Sequence, residues 1–144
     1  MQLTEHFADT ELRVAGADAR IVANATALCA AILEPIRAKF GPVTITSGYR
    51  SPTGNEAAGG VTNSQHLYEG GNAAADIRVQ PMVIIFDWIT QQSELPFDQA
   101  ILETDETDTP RCIHLSYVNG GTQRREALTG GVNGTKPYLP APVS

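Results

Sequence analysis

The stretch SQHLYEGGNAAAD, at Ser64–Asp76, decides how the rest of the chain is arranged, because it joins a histidine to an aspartate through a run of small residues. His66 is one of three histidines, and Asp76 follows it ten residues later. A further histidine, His114, lies in the apolar run CIHLSY at 112–117. Two imidazoles and one carboxylate suit Zn²⁺ and leave a fourth position for water, which is typical of a catalytic rather than a structural site.

The spacing of these residues does not by itself distinguish a metal site from two ordinary histidines and a surface aspartate. Their surroundings favour a site. The sequence from Thr53 to Ala75 is rich in glycine, alanine and asparagine and includes Gly60, which predicts a long loop. Long loops in compact domains are commonly functional. The remaining histidine, His6, is interpreted as structural, because it stands alone near the N-terminus without a partner in register.

Length and composition indicate one globular domain. The chain has 144 residues, of which 42% are hydrophobic and 18% charged, so it is not a disordered chain. Its net charge of −6 and the lack of a basic stripe argue against a nucleic-acid-binding protein. We expect it to act as a monomer.

The sequence predicts neither a membrane span nor a disulfide. No apolar run approaches the roughly 20 residues that a membrane span needs. The opening MQLTEHFADTE has no positive region followed by an apolar one, so we expect no secretory signal and synthesis in the cytoplasm. Without secretion, a disulfide between Cys29 and Cys112 is not favoured. Cys112 shares a strand face with His114, and we expect it to lie beside the metal rather than to bind it.

Hydrophobic periodicity predicts two helices and five strands. Ile21–Phe40 repeats apolar residues at three- and four-residue spacing, with an interruption at Pro35. A second helix is predicted at 81–92, with a strand as the alternative because the segment is rich in β-branched residues. Strands are predicted at 43–46, 74–79, 97–103, 112–117 and 124–129. Residues 130–144 are rich in glycine and proline and are predicted to form a loosely attached tail.

Four short segments together carry a family resemblance. They are SGYRSP at 47–52, GGVTNSQH at 59–66, AAADI at 73–77 and IHLSY at 113–117. They resemble peptidase family M15, the zinc D-Ala-D-Ala carboxypeptidase family, and most closely its small phage and prophage members. The resemblance covers nearly the whole chain. It implies one zinc peptidase domain over 1–144, with an α+β fold of the hedgehog/DD-peptidase type. In that fold an antiparallel sheet carries the zinc site and is backed by helices.

The resemblance also implies roles for single residues. It makes His66, Asp76 and His114 the zinc ligands. It makes Arg50 a catalytic and substrate-binding residue, because a guanidinium binds a carboxylate through paired hydrogen bonds. Tyr49 and Ser64 are expected to contact substrate as well.

The chain departs from the family pattern at two points. The family places the aspartate seven residues after the first histidine, so three extra residues lie within Glu69–Ala74 here. The residue two before the last histidine is usually Trp or His, and here it is Cys112. Neither difference removes a ligand, although each affects the geometry around the metal.

The resemblance makes Glu103 the candidate general base, since the smaller members of the family carry a glutamate at the end of this strand. Arg111 stands where some members have the acid, and it cannot accept a proton. An acidic excursion after the strand supplies alternative candidates. These are Asp105, Glu106 and Asp108.

The resemblance implies a zinc-dependent enzyme that hydrolyses peptidoglycan stem peptides. It leaves open whether the terminal D-Ala-D-Ala bond or a bond within the stem or cross-bridge is cut. A phage endolysin that acts at the cell wall or in the periplasm after release fits the small size. One alternative is a zinc-binding phage structural or binding protein of the same fold without catalysis. Another hydrolase on the same metal site is a further alternative.

Overall fold

A computed structural model describes residues 1–59 and 64–144, apart from the side chain of Asn133. Five α-helical segments and six strands are present in this part of the chain. The helices are α1 (Asp9–Leu12), α2 (Ala19–Leu28), α3 (Glu34–Phe40), α4 (Pro52–Ala57) and α5 (Met82–Asp87). The strands are β1 (Thr44–Ser47), β2 (Asn72–Arg78), β3 (Gln99–Thr104), β4 (Pro110–Val118), β5 (Glu126–Gly131) and β6 (Leu139–Pro140).

The strands form one sheet in the order β1-β2-β4-β3-β5-β6. The predicted α+β fold, a sheet backed by helices, is confirmed. The sheet is mixed rather than purely antiparallel, because β3 and β5 run parallel while the other described neighbours are antiparallel. Strand β4 lies in the interior of the sheet, because β2 and β3 are hydrogen-bonded to its two edges.

Helices α2 and α3 form one long rod that packs against the sheet. A π-helical turn at Cys29–Leu33 joins them and ends directly before the predicted interruption at Pro35. Proline has no N–H to donate to the preceding turn, and the wider turn accommodates this loss. The predicted apolar face is buried. Its fully buried members are Leu28, Ile32, Leu33 and Ile36.

The rod Ala19–Phe40 is relevant to the expectation that the chain has no membrane span, because it meets the length and composition criteria for one. By length and composition alone, its 22 residues are long and apolar enough to cross a membrane, which the sequence analysis did not anticipate. The buried helix of a folded core satisfies the same criterion. Here the rod packs against β2 and β4 and supplies much of the core.

Successive side chains of the two central strands, β2 and β4, point alternately to a core face and to a polar face of the sheet. On β2, Ala75 and Ile77 belong to the core, while Asp76 between them points to the other face. On β4, Ile113 and Leu115 belong to the core, and His114 lies on the same face as Asp76. The sheet thus packs one face against the helical rod and presents polar side chains on the other.

Two predictions about irregular segments are wrong in part. The segment predicted as a long loop over 53–75 contains α4 and a 3₁₀ turn at Gln65–Leu67, and β2 already begins at Asn72. Gly60, which contributed to that prediction, lies outside the described residues.

The segment 130–144 is not loosely attached. Strand β5 continues to Gly131, and β6 pairs with β5. The backbone N–H of Ser144 donates to the carbonyl of Thr90 at 2.9 Å. Composition alone does not reveal these long-range hydrogen bonds, because glycine and proline also occur in ordered turns.

Candidate metal centre and active site

Asp76 and His114 face each other across β2 and β4. They are register partners in the antiparallel pair, and Asp76 Oδ1 lies 3.0 Å from His114 Nδ1. Both side chains point to the polar face of the sheet. The central strands therefore bring an oxygen and a nitrogen donor together although 38 residues separate them in sequence.

His66 approaches the same carboxylate from outside the sheet. It lies in the 3₁₀ turn Gln65–Leu67, and its own backbone N–H donates to the hydroxyl of Ser64 at 3.2 Å. His66 Nδ1 lies 2.8 Å from the carbonyl oxygen of Gly48, which can only accept, so Nδ1 carries the proton. The lone pair is then on Nε2, which is 3.2 Å from Asp76 Oδ1. Such a backbone hydrogen bond is the usual way to orient a histidine ligand.

The three side chains fit a metal ion. Their donor atoms lie within 4.8 Å of one another, and the two histidines are buried. A set of two nitrogens and one oxygen matches the three protein ligands of a catalytic zinc site. The structure therefore brings together all three residues that the sequence analysis selected as ligands.

The charges in this cluster favour cation binding. Burial opposes ionisation of Asp76, but its close polar contacts with His114 and His66 outweigh this effect and hold the pKa of this carboxyl well below its usual range. Burial lowers the pKa of His114, although the hydrogen bond to Asp76 opposes this effect. A neutral imidazole beside a carboxylate anion is the protonation state that a metal ion requires.

The three extra residues between the first two ligands do not separate them. They form a turn in which Gly70 has a positive φ of 58°, and the side chains of Arg20 and Asn24 donate to its carbonyl oxygen. Both donors belong to α2. The insertion is therefore fastened to the core helix, and the metal cluster keeps its geometry.

Arg50, which was predicted to bind substrate, lies beside the cluster. Its Nη2 is 3.7 Å from Asp76 Oδ2, and its Nε donates to the hydroxyl of Ser47 at 3.3 Å. The Arg50 side chain retains 17% exposure, so part of the guanidinium reaches the neighbouring cavity. Its Nη1 also lies 3.5 Å from the amide oxygen of Asn55.

Glu103 is brought to the same place by β3. Its carboxylate has an oxygen within 4.8 Å of the ligand atom of Asp76. Burial, and secondly the negative charge of Asp76, raise the pKa of Glu103 to about 7, while Arg50 opposes the shift. A carboxyl group with a pKa near neutrality can both accept and donate a proton at physiological pH.

The other acids considered for this role lie elsewhere. Asp105 accepts hydrogen bonds from the backbone of Thr107 and Thr109, so it caps the turn between β3 and β4. Asp108 forms an ion pair with Lys136, and Glu106 is exposed. None of the three is among the described residues that line the cavity.

Cys112 is a neighbour of the site. Its sulfur lies within 4.8 Å of the ligand atoms of Asp76 and Glu103. Burial, with the charges of Asp76 and Glu103, raises the pKa of this thiol far above its usual range. A neutral thiol is a poor metal ligand. Both cysteines are free, in agreement with the expectation of no disulfide.

An open cavity of about 400 Å³ lies over the cluster. Ser64 lines it, in keeping with its predicted contact with substrate. Tyr49 is not among the described residues that line it, and its ring packs edge-on against Tyr68 with centroids 5.4 Å apart. The described lining comprises Arg50, Gly59, Ser64, Gln65, His66, Asp76, Gln99, Ile101, Glu103, His114, Arg124, Gly134 and Tyr138.

Two residues on the cavity wall, Arg124 and Tyr138, were not predicted from the sequence. Arg124 Nη2 pairs at 2.8 Å with Asp98, a buried carboxylate that also accepts from the Gln65 amide at 2.8 Å. Tyr138 comes from the segment that was predicted to be a loose tail. No local motif surrounds either residue, so only long-range folding reveals their position.

Comparison with known families gives one match. The family model described as Peptidase M15 matches residues 5–101, which is more than half of the chain. The matched stretch contains Arg50, His66 and Asp76, whereas Glu103 and His114 lie beyond its end. No curated protein matches the chain.

Proposed function

The chain belongs to peptidase family M15, and from this premise we propose that it is a zinc-dependent peptidase that hydrolyses peptidoglycan stem peptides. The observation that carries the proposal is the grouping of five side chains at one cavity. They are His66, Asp76, His114, Arg50 and Glu103. Three of them suit a metal ion, one suits a carboxylate of the substrate, and one suits proton transfer.

The metal would be held by His66 through Nε2, by Asp76 through a carboxylate oxygen and by His114 through Nδ1. When bound at such a site, Zn²⁺ polarises a carbonyl group and lowers the pKa of water to about 7. The buried imidazoles and the anionic Asp76 favour zinc over Mg²⁺ or Ca²⁺, which prefer oxygen ligands only.

Glu103 would transfer the proton. In its ionised form it accepts a proton from the attacking water, and it then donates this proton to the nitrogen of the leaving amine. In the metal-free site its pKa is about 7, so before a cation binds neither form is strongly disfavoured near neutral pH. This position of Glu103 also favours catalysis over a zinc-binding protein without activity, which has no need for a titrating acid at the cavity.

Arg50 would hold the substrate through a carboxylate. Its guanidinium is charged at every relevant pH and presents its donors in a planar fork. A terminal D-Ala carboxylate would place the terminal D-Ala-D-Ala bond at the metal, whereas a carboxylate within the stem would select an internal bond. We propose that the protein acts at the cell wall after release from the cell that makes it, as a phage endolysin or a bacterial wall enzyme.

Digestion of purified peptidoglycan tests this proposal. The zinc-loaded protein is expected to release new amino groups, a chelator is expected to abolish the reaction, and added Zn²⁺ should restore it. Mass spectrometry of the muropeptides then identifies the bond. Tight zinc binding without any cleavage of peptidoglycan or of synthetic stem peptides would instead support the binding protein.

A further inference from the structure

The segment after β5 folds back over the sheet because two glycines permit it. A side chain at Gly130 would overlap the ring of Tyr138, and one at Gly131 would overlap the backbone of Lys136. Neither glycine has a positive φ, so what these positions require is space rather than an unusual backbone conformation. The absence of side chains at Gly130 and Gly131 therefore allows the segment that contains Lys136 and Tyr138 to pack closely against the end of β5.

The returning segment is fastened at both ends. Lys136 forms an ion pair with Asp108 in the turn between β3 and β4. After it, Leu139 pairs with Thr129, and the N–H of Ala141 donates to the carbonyl of Ala127 at 2.9 Å. These contacts hold the residue between them, Tyr138, in one place above the sheet.

Tyr138 lines the cavity together with Glu103 and Arg50. It is 45% exposed, and its hydroxyl forms no hydrogen bond within residues 1–59 and 64–144. Burial and the charges of Glu103 and Asp76 raise the pKa of Tyr138 to about 12, so the phenol keeps its proton at neutral pH. The cavity thus contains an aromatic ring and a free neutral donor that the metal cluster, Arg50 and Glu103 do not use.

We propose that Tyr138 is a substrate-binding residue, whose ring packs against the bound peptide and whose hydroxyl donates a hydrogen bond to one of its backbone carbonyls. This inference rests on the proposed peptidase function. A peptide in the cavity supplies the acceptor that the hydroxyl lacks, and its non-polar surface can cover the exposed side of the ring.

The position of Tyr138 at the cavity wall predicts which kinetic constant depends on it. A contact made equally in the ground state and in the transition state changes KM and leaves kcat nearly constant. Loss of one neutral hydrogen bond corresponds to a rise in KM of about tenfold. Loss of the whole ring should raise KM further, because apolar contact is lost as well.

The test uses the zinc-loaded protein and a synthetic stem pentapeptide ending in D-Ala-D-Ala. Tyr138→Phe is expected to raise KM about tenfold at nearly constant kcat. It should weaken binding of the same peptide by a similar factor in the inactive Glu103→Gln background, measured by calorimetry. Tyr117→Phe is the matched control, since Tyr117 lies on β4, packs against the core and is not among the described lining residues.

A double-mutant cycle separates substrate contact from general disruption. Gly130→Ala adds a methyl group whose three nearest heavy atoms all belong to the Tyr138 ring. It should therefore raise KM about as much as Tyr138→Ala, and it should have almost no further effect in a Tyr138→Ala background. Additive effects would overturn the claim that the chain return at Gly130 positions Tyr138 for substrate.

The remaining outcomes distinguish this inference from the proposed function. Cleavage by the parent protein, with unchanged KM and unchanged peptide binding in Tyr138→Phe, would overturn the role of Tyr138 and leave the peptidase function standing. A parent protein that cleaves no peptide and no peptidoglycan would overturn both.

Discussion

Asp76 and His114 are register partners on neighbouring antiparallel strands, and Asp76 Oδ1 lies 3.0 Å from His114 Nδ1. Their relative position is therefore fixed by the backbone hydrogen bonds of the sheet. His66 is held differently, by a 3₁₀ turn and a hydrogen bond from its Nδ1 to the carbonyl of Gly48. Two ligands depend on strand register and the third depends on a loop.

Metal analysis tests the ligand set. The purified protein is expected to bind about one zinc ion per chain, and His114→Ala should lose it because two ligands hold zinc poorly. His6→Ala is the control, since His6 pairs with Glu34 on the surface at 2.7 Å. Full zinc occupancy in His114→Ala would disprove the assignment.

The carbonyl of Gly48 is predicted to support zinc binding indirectly. A Cβ at this position would overlap the backbone of Leu12, so Gly48→Ala must displace the segment that orients His66. Zinc affinity should fall about 10- to 100-fold, as for other changes behind a metal ligand. Competition with a chromogenic chelator measures it. Gly54→Ala is a control for the glycine replacement alone, because Gly54 has no positive φ and its added Cβ would lie 3.2 Å from the Ser51 hydroxyl oxygen.

Arg50 is predicted to bind substrate and not to maintain the fold. Arg50→Ala should retain zinc and its thermal unfolding midpoint while losing most peptidase activity. Arg50→Lys should restore little, because an ammonium group does not reproduce the planar fork. Arg111→Ala, on the exposed turn side of β4, should behave like the parent protein. Wild-type kcat/KM in Arg50→Ala would exclude the role.

Glu103→Gln is predicted to give a folded, zinc-loaded and nearly inactive protein. The amide keeps the shape of the side chain but cannot accept the proton, and loss of a general base costs about 10²–10⁴ in rate. Asp105→Asn, Glu106→Gln and Asp108→Asn should retain activity, because these acids lie outside the described cavity lining. A large loss in one of the three, with normal turnover in Glu103→Gln, would transfer the role to that residue.

The raised pKa of Glu103 predicts how the stability of the metal-free protein depends on pH. Its pKa rises from 4.5 to about 7 on folding, so the folded state holds this proton more tightly than the unfolded state. The free energy of unfolding should therefore fall as pH rises from about 4.5 to about 7, by up to about 3 kcal/mol from this group. Burial lowers the pKa of His114 and acts in the opposite sense.

Urea denaturation at pH 5 and pH 8, with chelator present, measures the effect. The difference between wild type and Glu103→Gln isolates the contribution of Glu103, since His114 is present in both proteins. Wild type should lose more stability than the variant between the two pH values. An identical change in both proteins would show that Glu103 titrates normally.

The long helix was predictable because its signal is local. Apolar residues at three- and four-residue spacing define one face of a helix whatever surrounds it, and the predicted 21–40 corresponds to the observed rod Ala19–Phe40. The strand that carries His114 was likewise indicated by alternation, although it extends further, over Pro110–Val118. Glycine content misled the prediction of the segment before Ala75, where Ser51 caps the short helix α4.

The sequence by itself determined the long helix, the polar and core faces of the central strands, and the three residue types that suit zinc, because each depends on near neighbours in the chain. Only the tertiary structure decided which acid reaches the site and what else surrounds it. Glu103 is set apart from Asp105 by the turn between β3 and β4, and Tyr138 reaches the cavity through the return over Gly130. Strand register and chain return arise from burial and hydrogen bonding between distant segments, which short-range sequence patterns do not encode.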